Sequence, residues 1–234
     1  MLLHFLGAGC AYRPQWGNTS ALGTFGGQTL LLDCGENIFT RLYETGLLET
    51  CGKMTVLITH IHADHVGSLS TLISYMRYEK QNPIRVCFPG DQVERLMKTC
   101  GISDGECLFD NRPAGTLENG VSYRAIPVEH AANLACYGYQ VTAPEGCFYY
   151  SGDARSLPSQ VLADFQAGRI QELYQDATFL QPQGQSHGSL EALCQLIAPR
   201  QRQRVCPMHF YDVTPKDAAA RGFAIPDCFE GRNP

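Results

Sequence analysis

A chain of 234 residues, 44% hydrophobic and 18% charged, is long enough to bury one large core. Its net charge of −5 and pI near 5.8 exclude a broad electrostatic footprint for nucleic acid, although not a local basic patch. No apolar run reaches the length of a transmembrane helix, so no membrane partner is expected. The 11 cysteines are odd in number and include no C-x-x-C pair. Met1 to Leu6 is apolar but has no basic flank and meets Gly7 too soon for a secretory segment. Reduced thiols and a cytoplasmic protein are the expectation.

In chain order, Leu2 to Leu6 reads as a strand, and Gly7-Ala8-Gly9-Cys10-Ala11 as a tight turn. The turn lacks the third glycine and the following helix of a phosphate-binding loop, so a structural role is favoured. Ala21 to Phe25 and Gln28 to Leu32 flank Gly26-Gly27, a hairpin signal. Asp33 ends the second arm, where it serves either to orient a metal ligand or to cap a helix over Ile38 to Leu48.

Met54 to Ile58 is a short, partly β-branched run, as expected of a buried strand. Ser68 to Glu79 carries Leu69, Leu72, Ile73 and Met76 at helical spacing. Further strands are expected at Ile84 to Phe88, Val121 to Ile126, Ala135 to Val141, Phe148 to Ser151, Leu173 to Phe179 and from Val205. Helices are expected at Gln92 to Thr99, Leu157 to Phe165 and Leu190 to Ile197, with a Gly/Gln loop after Phe179. Arg200, Arg202 and Arg204 bunch together and read better as a solvated helix end than as a nucleic-acid contact. No repeat or linker interrupts the chain, so one domain over 1–234 is expected. The tail from Phe223 to Pro234 is apolar in part and could fold over the active-site edge or meet a partner.

Thr59-His60-Ile61-His62-Ala63-Asp64-His65 follows the Met54–Ile58 run and places four metal-type side chains within six positions. Imidazole and carboxylate together suit zinc and neighbouring divalent metals. In extended chain His60 and His62 point the same way and can share an ion, while Asp64 and His65 can reach a second. His130, Asp153 and His209 each follow a strand-like segment, as if every strand delivered one ligand at its end.

Thr59 to His65 matches the T-H-x-H-x-D-H signature of the metallo-β-lactamase superfamily. Leu32-Asp33-Cys34-Gly35-Glu36, Val128-Glu129-His130, Ser151-Gly152-Asp153, Asp176-Ala177-Thr178-Phe179, Ser186-His187-Gly188-Ser189 and Met208-His209 follow in the order of its ribonuclease Z branch. The resemblance covers roughly residues 1 to 212. It implies an α/β (α+β) fold, a four-layer αββα sandwich with two divalent ions at one edge, Zn2+ first and Mn2+ or Fe as alternatives. It also implies ligand sets: His60, His62 and His130 for one ion, Asp64, His65 and His209 for the other, and Asp153 bridging. His187 falls where the branch has a catalytic histidine near the leaving group, with a structural loop residue as the alternative. The branch is often dimeric, which makes a homodimer an open expectation.

Two departures stand out. Only 23 positions separate His130 from Asp153, where ribonuclease Z enzymes proper carry a long arm for the tRNA elbow. Asp176 stands where the branch usually has Glu. Extended tRNA binding is therefore not expected. The leading expectation is a phosphodiesterase acting on a small molecule or short nucleic acid. Two ions about 3.5–4 Å apart would share a water lowered in pKa to serve as a bridging hydroxide nucleophile. Asp64 would orient it and His187 would assist the departing oxygen. A lactone or thioester hydrolase on the same metals is the alternative, with Arg155 as its obvious cation. A metal-binding protein without turnover is the alternative of another class.

Overall fold

Leu30, Leu31 and Leu32 are all essentially inaccessible to water, as three consecutive apolar residues are when a strand has a layer on each face. Leu30 and Leu32 enter one core and Leu31 the other, the period of two that a strand imposes. The structure, a computed structural model, describes residues 1–184 and 186–229. Among these residues the strands form two six-stranded sheets.

The first sheet runs in order β1 (His4–Gly7), β2 (Ser20–Phe25), β3 (Gln28–Leu32), β4 (Met54–Leu57), β5 (Arg85–Cys87) and β6 (Leu108–Asp110). Antiparallel pairing holds from β1 to β3, and parallel pairing from β3 to β6. The parallel steps need crossovers, which α1 (Ile38–Glu44), α2 (Leu47–Thr50), α3 (Ala63–Val66), α4 (Leu69–Tyr78) and α5 (Gln92–Thr99) supply. Ile38, Leu42, Leu72, Ile73, Met76, Val93 and Met97 from these helices pack with Leu31, Val56 and Val86 of the sheet.

The second sheet contains β7 (Ala114–Thr116), β8 (Ser122–Pro127), β9 (Tyr137–Ala143), β10 (Gly146–Tyr150), β11 (Glu172–Asp176) and β12 (Val205–Met208). Its first four strands pair antiparallel and its last three parallel. The α6 helix (Ser159–Gln166) buries Val161 and Phe165 against this half, and α7 (Leu190–Leu196) buries Leu190 and Leu193. Two mixed sheets with flanking helices make the expected metallo-β-lactamase sandwich.

The interval between His130 and Asp153 holds the β9–β10 hairpin, two strands and a turn. The hairpin at Gly26-Gly27 forms with both glycines at positive φ, +55° and +80°, as a two-residue turn between twisted strands requires. The single helix expected over Ile38 to Leu48 is instead two, because Gly46 turns left-handed at φ +71° between α1 and α2. Strands β6 and β7 and the last helix, α8 (Pro215–Ala220), had not been expected. The described part of the tail, as far as Phe229, is anchored in the fold. Phe223 and Phe229 are buried in the inter-sheet core, and Asp227 binds His4 and the amide of Phe5 at 2.7 Å each. The expected single domain extends to residues 230–234, and the expected Gly/Gln loop includes Gln185; both lie outside the described residues.

Candidate metal centre

Strands β3, β4, β8, β10, β11 and β12 all end at one edge of the sandwich, and each empties a polar residue there. β4 leads into Thr59 and His60. His62 is the N-cap of α3, whose single turn carries Asp64 and His65. The loop after β3 lies so close to α3 that a Cβ on Gly35 would stand 2.0 Å from the Asp64 carbonyl oxygen, so only glycine fits. At the ends of β3 and β12, Asp33 and His209 hold φ +61°, a left-handed conformation that non-glycine residues adopt at a cost, as strained functional sites often do.

The structure brings all seven expected ligands together. His60 Nε2 lies 2.9 Å from His62 Nδ1, which lies 3.2 Å from His130 Nε2. Asp153 Oδ2 faces this group, 3.8 Å from His60 Nε2 and 3.5 Å from His130 Nε2. The other oxygen, Oδ1, lies 3.1 Å from His65 Nε2 and 3.2 Å from His209 Nε2. Asp64 Oδ2 completes the second group at 3.5 Å from His65 and 3.4 Å from His209. Ligand atoms spaced about 3.3 Å apart are what a tetrahedral ion about 2.0–2.1 Å from each imidazole nitrogen demands.

His65 Nε2 and Asp153 Oδ1 are buried with no hydrogen-bond partner, a costly arrangement unless a cation sits between them. Electrostatics agree with the geometry. Burial holds the His60 and His62 imidazoles below their ordinary pKa, in the neutral form that binds metal. For His65, burial is outweighed by Asp153, Asp64 and Asp33, which push its pKa well up. Burial would raise the Asp153 pKa, but His209, His65 and His60 outweigh it and pull the carboxyl far below its ordinary range. A bound cation would replace the proton that His65 otherwise keeps. The donor set therefore fits divalent metal.

Asp33 orients the His65 ring and does not cap a helix. It is fully buried, accepts from Thr59 N at 2.7 Å and Thr59 Oγ1 at 2.9 Å, and receives His65 Nδ1–H at 2.9 Å. That fixes the His65 ring with Nε2 towards the centre. Likewise His130 Nδ1–H donates to the Ser186 carbonyl at 2.8 Å. Asp33→Asn is expected to weaken metal affinity about 10- to 100-fold with the fold intact, measured by competition with a chelator.

Asp176 was not among the expected site residues, yet it is the hub of the other half. Its Oδ2 accepts from His187 Nδ1 at 2.9 Å and Ala154 N at 3.0 Å. Oδ1 accepts from Thr178 N at 2.9 Å and Thr178 Oγ1 at 2.7 Å, and Thr178 Oγ1 accepts in turn from His209 Nδ1 at 2.8 Å. Asp153, Asp176, His187 and His209 also cluster closely enough for an ion. Because both Asp176 oxygens are spent on hydrogen bonds, this third group reads as a hydrogen-bonded dyad beside the centre. Of the remaining histidines, His4 sits apart, bonded to Asp227.

The glycine turn is structural, and so are two of the three arginines of the bunch. A Cβ on Gly7 would meet the Asn18 carbonyl at 2.5 Å, and Ala8 and Cys10 bond Phe210 across the sheets. Arg202 donates to the carbonyls of Ile197, Cys194 and Arg221, and Arg204 to those of Ile170 and Gln171. These two cations are not merely solvated; they tie down loop and helix ends.

Residues 1–225 match the family model described as "Anti-Pycsar protein Apyc1". The chain belongs to the Apyc1 family. The anti-Pycsar protein Apyc1 of Paenibacillus harenae is 30% identical over 226 residues, covering 91% of this chain and 90% of the relative. Among solved structures, the metallo-β-lactamase fold protein YhfI from Bacillus subtilis superposes with a TM-score of 0.74 at 14% identity, over 94% of this chain and 90% of that one. The short form of human tRNase Z does so at 0.67 and 19%, over 90% and 93%. In this Apyc1 family member the ligand cluster opens into a cavity of about 560 Å3, lined also by Cys10, Tyr12, Phe179, His187 and Tyr211. No described helix is long and apolar enough to cross a membrane.

Proposed function

We propose that the chain hydrolyses phosphodiesters with two divalent ions, most readily Zn2+, and that its substrate is a cyclic nucleotide. The observation that carries this reading is Asp153, whose two oxygens address two separate ligand groups. His60, His62 and His130 would hold one ion, Asp64, His65 and His209 the other, with Asp153 shared. Such ions supply a nucleophile from water at neutral pH and neutralise charge on phosphoryl oxygens. The family's anti-Pycsar name points to degradation of a cyclic nucleotide. A cavity of about 560 Å3 is of small-molecule size.

The chain's own residues do the rest. His187 is fixed through Nδ1 by Asp176 in a ring that lines the cavity, leaving Nε2 to give a proton to the departing oxygen. Burial would lower its pKa, but the Asp176 carboxylate outweighs this and keeps it raised, which favours the protonated acid. In a cyclic diester the departing oxygen remains tethered to the sugar, so ring opening needs no second product to leave. Asp64 orients the attacking water from the opposite ligand group.

A carboxylate-bearing lactone or β-lactam is less well served, because among the described residues no Lys or Arg lines the cavity. Arg155 is absent from that lining and lies 3.5 Å from Glu129. A binding protein without turnover would have no use for a buried carboxylate that fixes His187 beside the metal ligands. The test is turnover of bis(p-nitrophenyl) phosphate by Zn2+- or Mn2+-loaded protein. Release of p-nitrophenolate that vanishes in Asp64→Ala supports the reading; none from protein shown to hold two ions would sink it.

A further inference from the structure

We infer that Tyr211, backed by Arg13 and flanked by Phe179, is the platform on which the base of the nucleotide stacks. This inference rests on the cyclic-nucleotide reading and extends it to residues outside the ligand cluster.

The cavity has two chemistries. Its floor is the histidine and carboxylate cluster, and its rim is Cys10, Ala11, Tyr12, Phe179 and Tyr211, with no amide or charged side chain among them. Aromatic rings connect the two. His187 stacks on His209 with centroids 5.0 Å apart, Phe179 meets His187 edge-on at 6.1 Å, and Tyr211 meets Phe179 edge-on at 6.1 Å. A continuous aromatic wall therefore runs outward from the proton donor, as a nucleotide's base runs outward from its phosphate.

Tyr211 is held as a fixed surface. The Arg13 guanidinium carbon lies 4.4 Å from its ring centroid, and Arg13 Nε donates to its carbonyl at 2.9 Å. This cation–π contact and backbone bond join the first loop to the segment after β12 and limit the ring's freedom. Tyr211 nevertheless keeps 37% of its surface exposed while lining the cavity. An aromatic ring held in place, partly exposed and set beyond Phe179 from the dyad has the properties of a stacking platform. Among the described residues the rim carries no side-chain amide or carboxylate, and its broadest surfaces are the rings of Tyr12, Phe179 and Tyr211, which suit stacking on a base.

The test compares metal-loaded wild type, Tyr211→Ala and Tyr211→Phe on two substrates: adenosine 3′,5′-cyclic monophosphate and its baseless analogue, methyl ribofuranoside 3′,5′-cyclic phosphate. Wild type is expected to prefer the nucleotide by roughly tenfold in kcat/KM, the scale of one base–aromatic stack. Tyr211→Ala should collapse that preference to within about twofold, chiefly through KM, and Tyr211→Phe should keep it. Calorimetric titration with adenosine 5′-monophosphate and ribose 5-phosphate should show the same preference and the same loss without turnover. A preference that survives Tyr211→Ala overturns the platform and leaves the phosphodiesterase reading standing. Wild type that opens neither cyclic phosphate overturns that reading, and the platform with it.

Discussion

Asp153→Asn is expected to lower turnover by on the order of 10^3-fold or more and to leave less than two equivalents of bound metal. The side chain is 2% exposed, and each oxygen faces a different group of imidazoles. Asparagine keeps the shape but removes the charge, and turns one of the two faces into an NH2 donor pointed at the nitrogens proposed to hold an ion. No neighbouring carboxylate can replace it: Asp64 already serves one group, Asp33 is committed to His65 and Thr59, and Asp176 to His187 and Thr178. Metal analysis beside turnover, with circular dichroism to check the fold, measures this. Two full equivalents with activity within tenfold of wild type would show that Asp153 does not bridge.

The second large effect belongs to the dyad. His187→Ala and Asp176→Asn should each cost about 10^2- to 10^4-fold in kcat, the range for a positioned general acid, while both ions stay bound. Because the two act as a unit, the double variant should be little worse than either single one. The pH profile separates a proton donor from a merely structural pair. Asp176 raises the His187 pKa, so the protonated form persists to higher pH and activity falls as pH rises through that raised value. Asp176→Asn removes the stabilising charge, lowers that pKa and should start the alkaline fall at lower pH. An unmoved alkaline limb in a variant with normal metal content would remove His187 from the chemistry.

Much of the centre was legible because its first half is local. His60, His62, Asp64 and His65 stand within six positions after a short apolar strand, and a strand end followed by a one-turn helix is enough to gather them. His130, Asp153 and His209 are far apart in sequence, and spacing alone could not join them; the motif order of a known superfamily did. The orienting residues were harder to see. Asp33 had two equal readings until the structure placed its carboxylate on His65 and Thr59. Asp176 stands out in the sequence only as a departure from Glu, since its role depends on Ala154 after β10 and on Thr178 and His187 of the β11–α7 connection meeting it.

In the fold, alternating or fully apolar segments are readable, including the run around the short β5, whereas β6 and β7 are not. β6 and β7 are too short to show a period, and their pairing is set by β5 and β8. Helix α8 does carry a local signal: Thr214 and Asp217 form a capping box around Pro215. Arg202 and Arg204 looked like a solvated end because sequence shows charge but not which carbonyls lie within reach.

Phosphorus NMR of adenosine 3′,5′-cyclic monophosphate incubated with Zn2+- or Mn2+-loaded protein tests whether this cavity opens a cyclic phosphodiester. The cyclic resonance should be replaced by that of a ribose monophosphate ester, and Asp153→Asn should leave it in place. An undiminished cyclic resonance, from protein that holds two ions and hydrolyses a lactone or thioester, would contradict the cyclic-nucleotide reading.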